Sequence, residues 1–161
     1  MTLSTITSSV CSSPVVAVRA GAVVDFMLAA DQTVTNLNMK QLALYVSLCK
    51  EECTELIIAH NKLSAASGIT HANFVELLDG IGDLMWVAFG AALSAGVQPA
   101  QILERIATSN MSKVVNGKLQ KNPVTGKVQK PDTFVEPVLE DIVEDVLVTR
   151  PQLRSAVRSY K

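Results

Sequence analysis

The chain is poor in aromatics, in excess charge and in cysteine motifs, and each shortage removes a class of function. Phe, Tyr and Trp make up 4% of 161 residues against 48% hydrophobic residues overall. The core must therefore be aliphatic, and a composition led by Ala, Val and Leu suits close-packed helices. The net charge of −1 gives no bulk attraction for nucleic acid. Cys11, Cys49 and Cys53 show no C-x-x-C spacing and no nearby histidine, which argues against zinc. Cys49 and Cys53, one helical turn apart, read as a packed pair of reduced thiols, so a reducing compartment, the cytoplasm, is expected. No basic residue precedes Arg19, whereas a secretory signal carries positive charge ahead of its apolar run. Residues 1–18, rich in Ser and Thr, read as a loose arm. The apolar run Leu84 to Leu93 is too short to span a bilayer, so a membrane is not expected as a partner. There is no P-loop, no G-x-G-x-x-G and no H-E-x-x-H. His60 and His71 have no Ser or Cys in a triad-like context and read as structural or surface residues.

What is present is helical periodicity. A first helix is expected over about Arg19 to Gln32, with Val23, Phe26, Met27 and Ala30 as its buried stripe. A second runs from about Met39 to Leu63, its apolar side marked by Leu42, Tyr45, Val46, Cys49, Cys53, Leu56 and Ile57. The loop Ser64 to Thr70, with Gly68, ends it. A third covers about His71 to Ala95 before Gly96, and Pro99 opens a fourth through about Met111. Residues 112–137 change texture. Asn116-Gly117, Asn122-Pro123 and Thr125-Gly126 are turn dipeptides, and Lys113, Lys118, Lys121, Lys127 and Lys130 fall there, in a basic loop or small hairpin. A short acidic helix over about Leu139 to Leu147 precedes a tail, 148–161, with Arg150, Arg154 and Arg158. The expected fold is all-α, a four- to five-helix bundle over 19–147 built around an antiparallel helical hairpin.

That hairpin carries the chain's most specific pattern. Glu51, Glu52 and Glu55 lie within about 100° of arc on the second helix, and Asp79 and Asp83 sit one turn apart on the third, with Glu76 on the same face. Reflecting the chain about the loop centre, between Ser67 and Gly68, sets Glu52 level with Asp83, Glu55 with Gly80, and Ala59 with Glu76. Two acidic stripes then meet at one height. A solvated acidic face is the ordinary reading of such a run. Two details favour a metal site instead. Lys50 and Lys62 are poorly placed to neutralise the acids, and Asp83 is surrounded by apolar residues (Leu78, Ile81, Leu84, Met85, Trp86). An all-oxygen set selects a hard cation, Mg2+ or Mn2+. Gly80 and Gly82, each costing the helix about 1 kcal/mol relative to Ala, signal a close approach by a neighbouring helix or a ligand. Gly90 with Ala91 and Ala92 is explained by packing, and Trp86 is read as core before base-stacking platform.

These residues resemble the all-α nucleoside triphosphate pyrophosphohydrolases, the MazG-like and phosphoribosyl-ATP pyrophosphohydrolase-like superfamily, which carries E-E-x-x-E on one helix and E-x-x-D on the next. Glu51-Glu52-Cys53-Thr54-Glu55 is the first motif intact. In the second, Gly80 stands three before Asp83, and an acid appears one residue earlier, in Asp79-Gly80-Ile81-Gly82-Asp83. A subgroup shares this D-x-x-x-D form, followed by an apolar stretch like Leu84 to Gly90. It also shares Ser109-Asn110-Met111-Ser112-Lys113 and a later segment like Gly126-Lys127-Val128 with Lys130-Pro131. The resemblance covers roughly Val24 to Pro137.

The resemblance implies hydrolysis between the α and β phosphates of a nucleotide, giving a monophosphate and pyrophosphate. Glu51, Glu52, Glu55, Asp83 and Asp79, with Glu76 in reserve for Asp79, would hold two or more Mg2+ ions. Glu51 or Glu52 would orient the attacking water. Lys113, Lys127 and Lys130 would meet phosphate oxygens, although each taken singly reads as a solvated lysine, and Asn110 a base or sugar hydroxyl. Likeness to dimeric dUTPases points to dUTP, dCTP or a non-standard nucleotide, and to a homodimer or homotetramer. A non-catalytic nucleotide or metal sensor, and an oligomeric scaffold with an acidic stripe for a basic partner, are the alternatives.

Overall fold

The computed structural model describes residues 14–65 and 69–148. Cys11, Gly68 and the three tail arginines lie outside the described residues, as do most of the expected arm and tail. The chain divides into two compact units with the boundary between Gly96 and Val97. The fold is all-α, with a pair of two-residue strands as the described sheet.

The first unit holds α1 (Pro14–Ala29), α2 (Met39–Ser64) and α3 (His71–Ser94). Helix α1 begins earlier than periodicity suggests, at a proline whose fixed φ suits a first turn. It also ends earlier. Asp31 adopts a left-handed φ of 54°, Gln32 N–H donates to the Met27 carbonyl (2.9 Å), and Asp31 N–H donates to that of Leu28 (3.0 Å). These are the two bonds of a Schellman stop. Ala30 consequently falls outside the helix. Helices α2 and α3 open on side-chain caps, Asn38 accepting from Gln41 N–H and Thr70 from Asn73 N–H.

Helices α2 and α3 pack along their length as an antiparallel hairpin, and α1 lies against α3. The core joins Val23 and Met27 of α1, Tyr45 of α2, and Val87 and Leu93 of α3. Its register is fixed by interlocking groups. A Cβ on Gly90 would stand 2.0 Å from the Tyr45 ring, so the ring occupies the notch that the glycine leaves. One turn outward, the buried Gln41 donates from Nε2 to Ser94 Oγ (2.8 Å) and to the Thr33 carbonyl (2.8 Å). Ser94 passes the chain on to the Gly90 carbonyl (2.7 Å). Tyr45 pairs with Gly90 and Gln41 with Ser94, and each pair is equidistant from the 67/68 midpoint, as reflection of the sequence expects.

Several expected apolar positions are not buried. Phe26 is 55% exposed, with its ring meeting Trp86 edge-on at 5.6 Å. Val46, Ile57 and Cys53 face outward, so the cysteines are not a packed pair and only Cys49 joins the core margin. The inward line of α2 passes instead through Gln41, Tyr45, Cys49, Glu52, Leu56 and Ala59. Apolar count misleads here because α2 presents aliphatic side chains on two faces. Helix α3 as a whole, unlike the run Leu84–Leu93 alone, is long and apolar enough to cross a bilayer by length and composition. Its hydropathy has two sources in the packed unit, core residues such as Val87 and Leu93 and an exposed face of Leu78, Ile81 and Met85.

The second unit holds α4 (Pro99–Met111), β1 (Val114–Val115), β2 (Lys118–Leu119) and α5 (Glu140–Val148). Asn116 and Gly117, at φ 52° and 74°, make the two-residue turn between β1 and β2 that positive φ at both positions permits. A second hairpin follows, with a Lys121–Val128 bridge. Asn122 Oδ1 accepts from Val124 and Thr125 N–H at its tip (both 2.9 Å). Arg105 of α4 pairs with Asp141 of α5.

Candidate active site

All five acids expected to act together lie on the α2–α3 hairpin, within the first unit. Glu52 sits on the inward line of α2 and is half-buried; Glu51, Glu55, Asp79 and Asp83 around it are exposed. Loss of water first, and then the charges of Glu55, Asp83, Glu51 and Asp79 in that order, hold the Glu52 carboxyl above its ordinary range. The order matters. Asp83 and Asp79 belong to the opposite helix, so acids from both helices press on one group. Burial, and to a smaller extent the Glu52 charge, push the neighbouring Cys49 thiol up, keeping it protonated and unreactive.

A cavity of about 310 Å³ is lined by residues of both α2 and α3, Glu55, Ile58, Ala59, Lys62, Glu76, Asp79, Gly80 and Asp83, without Glu52. A second, of about 430 Å³, is lined by Ser47, Lys50, Glu51, Thr54, Glu55 and Ile58. Glu55 belongs to both. Gly80 explains how the helices come close enough here: a Cβ on it would stand 3.3 Å from Leu56 Cα. Gly82 has no such neighbour and instead lines an apolar cavity with Val23, Met85, Trp86 and Phe89. The two glycines expected to share one cause thus have different ones.

Lys62 is nearer the acids than the sequence suggests. It pairs with Glu76 at 2.6 Å on the cavity rim. Glu76 is not among the charges that raise Glu52, while Asp79 is. The apolar residues expected to bury Asp83 flank it without covering it. Among the described residues, no group of three or more acidic, histidine or cysteine side chains is placed to hold a metal ion. The acids form an open patch under mutual repulsion. Its donors are all carboxylate oxygens, which suit a hard divalent cation.

Asn110, Lys113, Lys127 and Lys130 all belong to the second unit. Lys113 Nζ donates to Asn110 Oδ1 (2.7 Å). Lys130 pairs with Glu136 (2.8 Å). Lys127 lies in the second hairpin, its backbone carbonyl accepting from Asn122 N–H (2.8 Å). Sequence reasoning missed Phe134, against whose ring both Lys113 and Lys130 stand. It also missed the Gln41–Ser94 link, whose signal was two polar residues in phase with apolar stripes.

The all-α fold thus brings acids of two antiparallel helices to bear on one glutamate. The phosphoribosyl-ATP pyrophosphohydrolase family profile matches residues 27–110, and the chain belongs to that family, within the MazG-like all-α superfamily. It is accordingly a pyrophosphohydrolase, acting on a nucleotide phosphoanhydride. No curated protein matches the sequence significantly. The matched span takes in every acid of the site and Asn110, and it stops short of Lys113, Lys127 and Lys130.

Proposed function

We propose that the protein hydrolyses a nucleoside triphosphate between its α and β phosphates, releasing a monophosphate and pyrophosphate, in a Mg2+-dependent reaction that Mn2+ also supports. A deoxynucleotide such as dUTP or dCTP, or a non-standard nucleotide, is the proposed substrate. The observation that carries this reading is the position of Glu52, half-buried and facing four other carboxylates from two helices. Like charges gathered around one carboxyl repel, and a cation relieves that repulsion.

Glu51, Glu52, Glu55, Asp79 and Asp83 would hold the metal. Asp79 is preferred to Glu76 because its charge bears on Glu52, whereas Glu76 is paired with Lys62. A divalent ion supplies, when bound, neutralisation of the polyphosphate and a lowered pKa for water. The chain's own residues do the rest. Glu51 or Glu52 orients water for in-line attack on the α phosphorus and takes its proton on a carboxylate oxygen. Lys113, Lys127 and Lys130 bind phosphate oxygens, compensating the charge that shifts onto the leaving pyrophosphate. Asn110 meets the base or sugar. A cytoplasmic homodimer or homotetramer is proposed, since Leu44, Val46, Leu78 and Met85 leave apolar surface exposed on α2 and α3.

Pyrophosphate release from dUTP, dCTP, ATP and phosphoribosyl-ATP, with and without Mg2+, tests the proposal. Release that requires Mg2+ and favours a deoxynucleotide is expected; preference for phosphoribosyl-ATP overturns the substrate choice. The open form of the acid patch favours a second reading, a metal or nucleotide sensor. Metal-dependent thermal stabilisation with no pyrophosphate from any nucleotide decides for it.

A further inference from the structure

The segment after the second hairpin is docked onto the end of α4. Ser112 caps that helix, donating from Oγ to the Ser109 carbonyl (2.7 Å) and accepting at the same oxygen from Val135 N–H (2.9 Å). Phe134 N–H closes a turn onto the Pro131 carbonyl (2.9 Å). These bonds set the half-buried Phe134 ring beside Lys113, the residue after the cap. Lys113 Nζ lies 5.4 Å from the ring centroid and Lys130 Nζ lies 4.3 Å from it. Both distances are within the range in which a ring quadrupole attracts a cation.

Two ammonium groups gathered at one ring repel each other. Asn110 Oδ1 holds one and the Glu136 carboxylate holds the other, and the ring draws both to the same place. Each ammonium has three donors, and these contacts use one apiece. Two positive charges against one carboxylate leave the cluster net positive, with donors to spare for an anion that reaches both.

We propose that Phe134 is a positioning residue, which assembles Lys113 and Lys130 into a single subsite for the outer phosphates of a polyphosphate. The proposal rests on the phosphate-binding role given above to these two lysines. Phe134 itself touches neither the reacting atoms nor the phosphates. It keeps two flexible side chains from dispersing, and so lowers the entropy that binding must remove.

Calorimetric binding of inorganic tripolyphosphate to the full chain tests this without requiring turnover. Phe134→Leu should weaken binding by about 3- to 10-fold, and Phe134→Tyr, which keeps the ring face, should restore it to within about twofold. With a hydrolysed nucleotide, Phe134→Leu should raise KM in proportion and leave kcat unchanged. Glu136→Gln tests the same point at an exposed residue. If the ring positions Lys130, binding tightens as a competing carboxylate is lost; if Glu136 does, binding weakens and the proposal fails. Wild-type affinity in Phe134→Leu, a Tyr variant as weak as Leu, or no tripolyphosphate binding by the wild type each overturns it. The enzyme reading fails separately. A protein that releases no pyrophosphate yet binds tripolyphosphate in a Phe134-dependent way loses the catalytic proposal and keeps this one, and one that hydrolyses nucleotides with KM unaltered in Phe134→Leu does the reverse.

Discussion

The acidic hairpin of α2 and α3 and the lysine-bearing segment 112–137 are ordered by opposite means. In the first, side chains interlock: the Tyr45 ring fills the gap at Gly90 and Gln41 reaches Ser94. In the second, turns do the ordering, through positive φ at Asn116, Gly117 and Gly126 and through Asn122 and Ser112 side chains that accept from backbone N–H groups. The difference bears on chemistry. Carboxylates that must meet from two helices need a register held to a fraction of a turn. Under the proposed function, lysines that follow a flexible polyphosphate need only be kept in one neighbourhood, and a ring with a few turns is enough.

The sharpest way to break this comparison is to remove the charge at the centre of the rigid half. Glu52→Gln should lower kcat by about 100-fold or more, the scale of a lost general base, while raising the melting temperature of the metal-free protein. The sign follows from the raised Glu52 pKa. Between the unfolded and folded pKa values the native state binds more protons, so stability falls as pH rises through the folded value. Above it the destabilisation is fully present, and the amide removes it. Melting curves of both proteins from pH 4 to 8 should therefore converge at the acid end and separate towards neutrality. Metal-free curves that stay parallel would show that Glu52 is not under the pressure of its neighbours.

Gly90 and Gly117 provide the next test, because the first serves contact and the second conformation. Gly90→Ala would drive a Cβ into the Tyr45 ring and should cost about 1–3 kcal/mol, as overpacking does, with loss of activity as the hairpin register shifts. Gly117→Ala meets no neighbour within 4 Å but sits at φ 74°. It should cost about 1–2 kcal/mol, spent on the local turn, with α2 and α3 unaffected. Hydrogen exchange separates the two, since the first should deprotect the hairpin helices and the second only residues around the turn.

Much of this was legible in the chain. All five helices lay where apolar spacing, Pro99 and Gly96 put them, apart from the ends of α1. The α2–α3 register followed from reflection about a short loop, because antiparallel neighbours leave little freedom. What the sequence concealed was direction. Val46, Cys53 and Ile57 counted as core and face outward, while the inward line of α2 runs through Cys49, Glu52 and Leu56. Hydrophobicity alone cannot choose between two apolar faces of one helix; packing against α3, through the notches at Gly80 and Gly90, makes that choice. The Phe134 cluster was hidden because its members, Asn110, Lys113 and Lys130, are joined by turns and not by any period.

The smallest expected effect separates the two candidates for the fifth acid. Glu76 and Lys62 pair at 2.6 Å with both side chains about half exposed. Such a pair contributes about 0–1 kcal/mol, screened further by salt, so Glu76→Gln should barely move the melting temperature. It should also leave turnover within about twofold, because Glu76 is not among the charges that bear on Glu52. Asp79→Asn, one turn on, removes a charge that does act on Glu52 and should abolish metal-dependent stabilisation. Equal losses in the two variants would mean that Lys62 releases Glu76 when a cation arrives. The acid patch would then include the ion pair at its rim, and the rigid half of the molecule would hold a moving part.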